Sequence, residues 1–140
     1  MAASAGYSGT PLIKKLGIKP GFRTALLNTP KGYDDLLGEL PPDVYVVTAL
    51  DEQCDFIQYF ASDYAPLVAD FPALKAALKP SGALWISWRK KSANPSGDIS
   101  EDLIRQLALD SGLVDVKVIA VDATWSGLKL VYRLKDRPAT

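Results

Sequence analysis

The side chains able to do chemistry are few and unevenly placed. The 140-residue chain has no histidine and one cysteine, Cys54, so triads built on histidine are impossible, the commonest metal ligand is absent and no intrachain disulfide can form. Cys54 stands next to Asp55 at the start of a strand with no base to activate it, and reads as a buried thiol. The carboxylates of Asp34, Asp35, Asp51, Glu52 and Asp55 crowd one stretch, but their spacing matches no metal loop, and no metal is assigned. What remains is cations and rings: Lys31 in "NTPKGY", Arg89, Lys90 and Lys91 in "SWRKK", and the indoles of Trp88 and Trp125. Cations gathered where strands end can hold a phosphate or a carboxylate.

Charge is balanced in total and segregated along the chain. Residues 1 to 33 carry five basic and no acidic side chains, residues 34 to 70 nine acidic and no basic, and residues 71 to 95 five basic and no acidic. These runs are either ordinary solvated faces or surfaces that meet complementary partners, including a second copy of the chain. Nucleic acid is disfavoured as a partner, because the net charge is zero and the cations do not alternate with aromatics along a strand. No apolar stretch approaches the roughly 20 residues a membrane helix requires, and the opening segment lacks the pattern of a secretion signal, so a cytoplasmic location is expected.

Elements that could position these groups follow from periodicity and turn residues. A loose arm, residues 1–9, precedes a domain at 10–134, and residues 135–140 form a polar tail. Thr10 caps a short helix with Pro11 in its first position, and Gly17 stops it. Phe22 to Asn28 is a first strand, apolar on both faces as the middle of a parallel sheet requires. A helix in "YDDLLGEL" follows, then strands in "PPDVYVVTAL" and "CDFIQYFA". The linkage of about five residues between them is too short for an ordinary crossover, so it is either unusually tight or joins strands that do not run parallel. From Ser62 to Leu78 the spacing predicts a helix kinked or split at Pro72. "KPSG" then turns into a central strand, Ala83 to Trp88, in which Trp85 is taken to share the face of Trp88 and fill the core.

Ser100 caps a helix carrying Leu103, Ile104 and Leu107, and Gly112 closes it. "LVDVKVIAV" alternates, with Val114, Val116, Val118 and Ala120 on one face and Asp115, Lys117, Ile119 and Val121 on the other. "DATWSG" turns it into "LKLVYRL", an antiparallel hairpin at the end of the sheet. In that turn Trp125 either folds back as a lid on the core, with Ser126 and Gly127 completing the turn, or anchors a partner or stacks on a ring-bearing ligand, joined by Trp88.

The order of elements resembles a shortened class I SAM-dependent methyltransferase domain: a single three-layer, Rossmann-like α/β domain with a mainly parallel sheet ending in an antiparallel hairpin. "LGIKPGFRTALLN" resembles the approach to the first strand of such enzymes, "LKAALKPSGALWISW" their helix, turn and strand, and "ISEDLIRQLALDSGLVDVKVIAV" their final helix and strand. Nearly the whole chain, from "GTPLIKKLGIKPG" through "PALKAALKPSGALWISWRKK" to "LVDVKVIAVDATWSGLKLVYR", is similar to the small bacterial domain-of-unknown-function family 3052, which implies the fold and no established activity.

Departures from the methyltransferase pattern shape the functional expectation. Where the resemblance implies a glycine-rich turn, this chain has Asn28, Thr29, Pro30, Lys31 and Gly32, and Pro30 removes a backbone donor. Where it implies an acidic partner for the cofactor's ribose, the second strand ends in Thr48, Ala49 and Leu50, with Asp51 just beyond. The candidate binding set is therefore Asn28, Thr29, Lys31, Gly32, Asp51, Trp88, Arg89, Lys90 and Trp125, at the carboxyl edge of the sheet, where open α/β sheets collect ligands. No catalytic residue and no cofactor is assigned. With no proton-transfer centre and no complete cofactor loop in view, the residues point away from an enzyme and toward a binding or protein-interaction module with an anion-binding edge. The alternatives are a divergent SAM- or nucleotide-dependent enzyme using Asp51, Asp55 or Tyr33, and a structural homo-oligomer.

Overall fold

Glycines set the first boundaries between helix and strand. The computed structural model describes residues 11–137; the expected arm and the cap at Thr10 lie outside the described residues, as do the last three residues of the expected tail. Helix α1 (Leu12–Leu16) stops at Gly17, whose φ of 83° is left-handed and whose N–H donates to the Ile13 carbonyl, as a C-terminal cap requires. Strand β1 (Arg23–Leu27) follows. Helix α2 (Tyr33–Leu37) is shorter than expected, because Gly38 at φ 80° and ψ −157° adopts a conformation reserved for glycine.

Strands β2 (Tyr45–Val47) and β3 (Cys54–Ala61), helix α3 (Tyr64–Ala76), strand β4 (Leu78–Arg89), helix α4 (Glu101–Asp110) and strands β5 (Leu113–Ala120) and β6 (Trp125–Tyr132) complete the order, before a 3-10 turn at Leu134–Asp136. The six strands lie in the order β2-β1-β3-β4-β6-β5. β2, β1, β3 and β4 pair in parallel, and β6 runs antiparallel to both β4 and β5. One sheet face packs on Leu16 of α1 and Tyr33 and Leu37 of α2. The other packs on Leu67, Phe71 and Leu74 of α3 and Ile104 and Ala108 of α4. Each Leu, Ile or Phe among them, fully buried, contributes roughly 1.5–3 kcal/mol. The result is the expected three-layer α/β domain, a mostly parallel sheet with an antiparallel hairpin at one end. Among the described residues no helix is long and apolar enough to cross a membrane.

Several local expectations need correction. β2 and β3 lie parallel on either side of β1, so the short linkage is a true crossover. It closes because β2 is three residues long and pairs with the first half of β1, Arg23 to Ala25. α3 is a single helix: Pro66 lies in its first turn and Pro72 sits inside it without dividing it. Pro72 and Val68, whose carbonyl loses its helical donor, are both exposed, so water can serve that carbonyl. "KPSG" lies within β4 as an irregularity, since pairing jumps from Cys54↔Leu78 to Phe56↔Ala83. Gly82 allows the close approach there: a Cβ at that position would meet the Asp55 carbonyl oxygen at 2.7 Å.

Trp85 and Trp88 do not share a face. Three residues apart on a strand they must point oppositely, and Trp85 packs with α1 and α2 while Trp88 packs with α3 and α4. The simple alternation of β5 also fails. Asp115 pairs with Leu130 and Lys117 with Lys129, leaving Val116 as a bulge that reverses the phase of every later residue. Trp125, Ser126 and Gly127 are strand, not turn, pairing with Arg89, Trp88 and Ser87.

Candidate functional site

Two neighbouring parallel strands send their chains to opposite faces. β1 leads into α2 on one side of the sheet and β3 into α3 on the other, which leaves a crevice between their carboxyl ends, the usual place for a ligand in an open α/β sheet. Asn28 and Thr29 form one lip. Ser62 and Asp63, after β3, form the other; the sequence reading missed them, although the polar "SD" closing an apolar strand was a usable signal. The first turn of α3 is held by a longer-range contact, with the Tyr64 backbone N–H donating to Asp98 Oδ1 at 3.0 Å.

On the α3 side the crevice deepens into a cleft of about 280 Å³. Leu27, Leu50 and Leu74 give it apolar walls, while Asn28, Thr48 and Asp70 supply polar groups. Asn28 is the residue that turns β1 outward, with a left-handed φ of 57°, a conformation asparagine tolerates better than most side chains. The Tyr59 hydroxyl donates to Asp70 Oδ2 at 2.5 Å. Burial first, then the hydrogen bond and charge of Asp70, push the Tyr59 pKa well above the ordinary tyrosine value, and the Asn28 side chain works the other way. Tyr59 therefore stays a neutral donor that fixes the carboxylate of Asp70 on the cleft wall.

On the α2 side, Lys31, Gly32, Thr124, Trp125 and the partly buried Asp122 line a second cleft of about 260 Å³. Asp122 Oδ1 accepts from the backbone N–H groups of Thr124 and Trp125, at 2.8 Å each, and so shapes the turn into β6. The Trp125 ring is 6% exposed and meets Phe60 edge-on at 5.1 Å; Phe60 in turn meets Tyr33 at 4.8 Å. Trp125 is a core lid, with its ring largely withdrawn from solvent. Arg89, its cross-strand partner, rests with its guanidinium 4.9 Å from the indole centroid.

Beneath this cleft runs a buried polar chain. The Tyr33 hydroxyl donates to Gln58 Oε1 at 2.5 Å, and Gln58 Nε2 donates to Ser87 Oγ at 3.2 Å. All three residues are at most 2% exposed. Burial raises the Tyr33 pKa far above its ordinary value, opposed by the Gln58 bond and reinforced by the charge of Asp122. Gln58 was legible as a signal, since a lone amide in the apolar strand "CDFIQYFA" must find partners once buried.

The nine residues singled out from the sequence thus divide by location. Lys31, Gly32 and Trp125 share the cleft on the α2 side, Arg89 adjoins it through its contact with Trp125, Asn28 and Thr29 stand at the crevice, and Trp88 lies in the core on the α3 side, away from Trp125. Lys90 continues the β4–β6 ladder by donating its backbone N–H to the Thr124 carbonyl at 2.8 Å. Asp51 is elsewhere. It pairs with Arg23, at the first residue of β1, at 3.2 Å, because β2 ends at Val47 and the linkage carries Asp51 back to the amino edge. There Arg23 also meets Glu52, its backbone N–H donates to Asp55, and Lys79 holds the other Asp55 oxygen. Cys54 is fully buried at this edge; burial pushes its thiol pKa up, against the pull of Arg23. Among the described residues no group of three or more His, Cys, Asp or Glu side chains is placed to hold a metal ion.

No family model and no curated protein matches the chain, so the resemblance to family 3052 gains nothing from these comparisons. Solved structures do match. A SAM-dependent methyltransferase from Aquifex aeolicus superposes with a TM-score of 0.58 at 18% identity, over 85% of this chain and 86% of that one. A ribosomal protein L11 methylase from Lactobacillus delbrueckii subsp. bulgaricus gives 0.57 at 15% identity, over 87% and 75%. The DhpI-SAH complex gives 0.60 at 12% identity, over 89% and 83%. The reading that weighed against an enzyme is overturned by these matches: it rested on the absence of a proton-transfer centre and of a complete cofactor loop, and without either the chain still folds as methyltransferases do. What the comparisons establish is that the domain has a shortened SAM-methyltransferase-like fold.

Proposed function

We propose that the chain binds an adenosyl compound in the crevice between β1 and β3 and acts as a divergent SAM-dependent methyltransferase. The observation that carries this reading is the cleft beside Asn28, set at the point where β1 and β3 part to opposite faces. Its size lies just below the range of roughly 300–1,000 Å³ common for small-molecule sites, and it combines apolar walls with a few convergent polar groups. Leu27 and Leu74 suit the flat ring of such a ligand. The Asp70 carboxylate, held by Tyr59, suits hydroxyl donors, and Thr48 and Asn28 add short polar side chains at the mouth. These residues fit the adenosyl part of the group. S-adenosylmethionine would supply an activated methyl group on its sulfonium centre. The chain's own part is to orient the ligand and keep Tyr59 protonated. Asp51 has no part in it.

Membership of family 3052, a cytoplasmic location and a small partner bearing an anionic group remain parts of this proposal. The quoted sequence stretches support the first, the absence among the described residues of a helix long and apolar enough to cross a membrane is compatible with the second, and the cations of the carboxyl edge support the third.

The test is the melting temperature in S-adenosylmethionine and S-adenosylhomocysteine. A ligand that binds only the folded state, present at a hundred times its dissociation constant, adds about 2.7 kcal/mol, which for a domain of this size raises the melting temperature by about 10 °C. Asp70→Asn should reduce the rise, and Asp51→Asn, at the opposite edge, should leave it intact. A flat response to both adenosyl compounds, at concentrations that saturate ordinary methyltransferases, refutes the proposal.

A further inference from the structure

Every other arginine of the chain has at least one side-chain N–H group hydrogen-bonded or ion-paired within the fold, although Arg23 Nε is buried without a partner among the described residues. Arg23 bonds Asp51 and Glu52, Arg105 bonds Glu101, Asp102 and Asp115, Arg133 bonds Asp136, and Arg137 donates to the Tyr132 carbonyl. Arg89 donates to nothing among the described residues; its one contact of note is the face of Trp125, at 4.9 Å. That contact is not a loose one. Arg89 and Trp125 are directly opposite on adjacent strands, and the indole is wedged against Phe60. The exposed guanidinium therefore lies over a largely buried ring, with its planar set of donors unspent among the described residues. Holding a donor fork in place beforehand reduces the entropy lost when it binds.

Lys31 lies in the turn after β1 and shares with Trp125 and Thr124 the cleft of about 260 Å³. It too has no hydrogen-bond or ion-pair partner among the described residues. The carboxylate of this cleft, Asp122, has one oxygen committed to two backbone N–H groups, and Asp34 and Asp35 line the adjoining hollow beyond Lys31. Lys31 lines this cleft together with Trp125, Arg89 lies over the same indole, and neither cation has a hydrogen-bond or ion-pair partner among the described residues. We propose that Arg89 and Lys31 form an oxyanion subsite, which takes the phosphate monoester group of a small molecule, with Arg89 as the planar fork and Lys31 as the point charge. The inference goes beyond the adenosyl reading and stands or falls without an adenosyl compound.

Phenyl phosphate is the probe, titrated at constant ionic strength while the Arg89 Nε–H and Trp125 indole N–H signals are followed by NMR. A saturable shift of both is expected. Arg89→Lys, which keeps the charge and loses the fork, should weaken binding about tenfold, equivalent to 1.4 kcal/mol; Lys31→Gln should also weaken it, and Lys14→Gln on α1 should not. Phosphate monoesters gain their second charge near pH 6, so affinity should rise between pH 5 and 7.5. Benzoate, a carboxylate already ionised at pH 5, should bind more weakly and show no such rise. Signals that do not move, movement equal to that caused by chloride, an unchanged affinity in Arg89→Lys, or benzoate binding as well as phenyl phosphate would each overturn the proposal.

Discussion

Replacing Tyr33 by phenylalanine removes one oxygen atom and leaves the ring against Phe60. The loss is specific: Gln58 Oε1, buried in the central strand, no longer receives the hydroxyl proton it accepts at 2.5 Å, and no other donor to it is present among the described residues. An orphaned buried acceptor costs about 1–3 kcal/mol, so Tyr33→Phe should lower stability by about 2 kcal/mol and the melting temperature by about 8 °C. Replacing the whole polar chain, Tyr33→Phe with Gln58→Leu and Ser87→Ala, should recover most of that loss, because no polar group is then left unpaired.

The alkaline limb gives a second readout of the same group. Burial raises the pKa of folded Tyr33 above its unfolded value of 10.0. Below pH 10 both states hold the proton and this group adds no slope. Above pH 10 the unfolded chain releases its proton while the folded chain keeps it, so stability falls as pH rises, by up to about 1.4 kcal/mol per pH unit for each such tyrosine. Tyr59, raised in the same direction, contributes a similar share. Urea unfolding of the wild type and Tyr33→Phe from pH 8 to 11.5 should show a shallower limb in the variant, by one tyrosine's share. A loss under half a kilocalorie at neutral pH, or identical limbs, refutes the account of the buried chain.

Two further outcomes concern the scaffold. Ser100 accepts from the Leu103 N–H at 3.2 Å at the start of α4, so Ser100→Ala should cost about 1 kcal/mol in chemical denaturation. Gly82→Ala places a methyl 2.7 Å from the Asp55 carbonyl oxygen and should destabilise by about 1–3 kcal/mol, more than an alanine at the half-buried Gly97, whose near neighbours are mainly the side chain of Asn94.

What could be read from the sequence was what local chemistry decides. Ser100 followed by Leu103, Ile104 and Leu107 marks α4 because a capped amphipathic helix carries its instructions within one turn of each residue. β3 was bounded correctly because its apolar run is closed by polar residues at both ends. Most misreadings depended on partners remote in sequence; placing Trp85 and Trp88 on one face did not, since their three-residue spacing already sets them on opposite faces. Nothing in "LVDVKVIAV" announces that Val116 bulges, since the bulge exists only against Leu130 and Lys129. Asp51 is legible as an acid near the end of a strand, but its edge is set by how soon β2 stops and which way the linkage returns. The site divided for the same reason: carboxyl-edge residues can be collected from strand ends, while the side of the sheet each one faces depends on exact strand phase, as Trp88 and Trp125 demonstrate.

The two outermost strands give the sheet its limits. A long, flat edge offers its unpaired backbone groups to any similar strand, and repeated addition would build a fibre. Here one edge is β2, only three residues long, and the other is β5, kinked at Val116 with Lys117 exposed beside it. Neither presents a straight run on which another sheet could continue in register. The irregularity in β5, at the exposed Val116 with the exposed Val118 just beyond it, thus works against strand-by-strand addition of further copies at that edge.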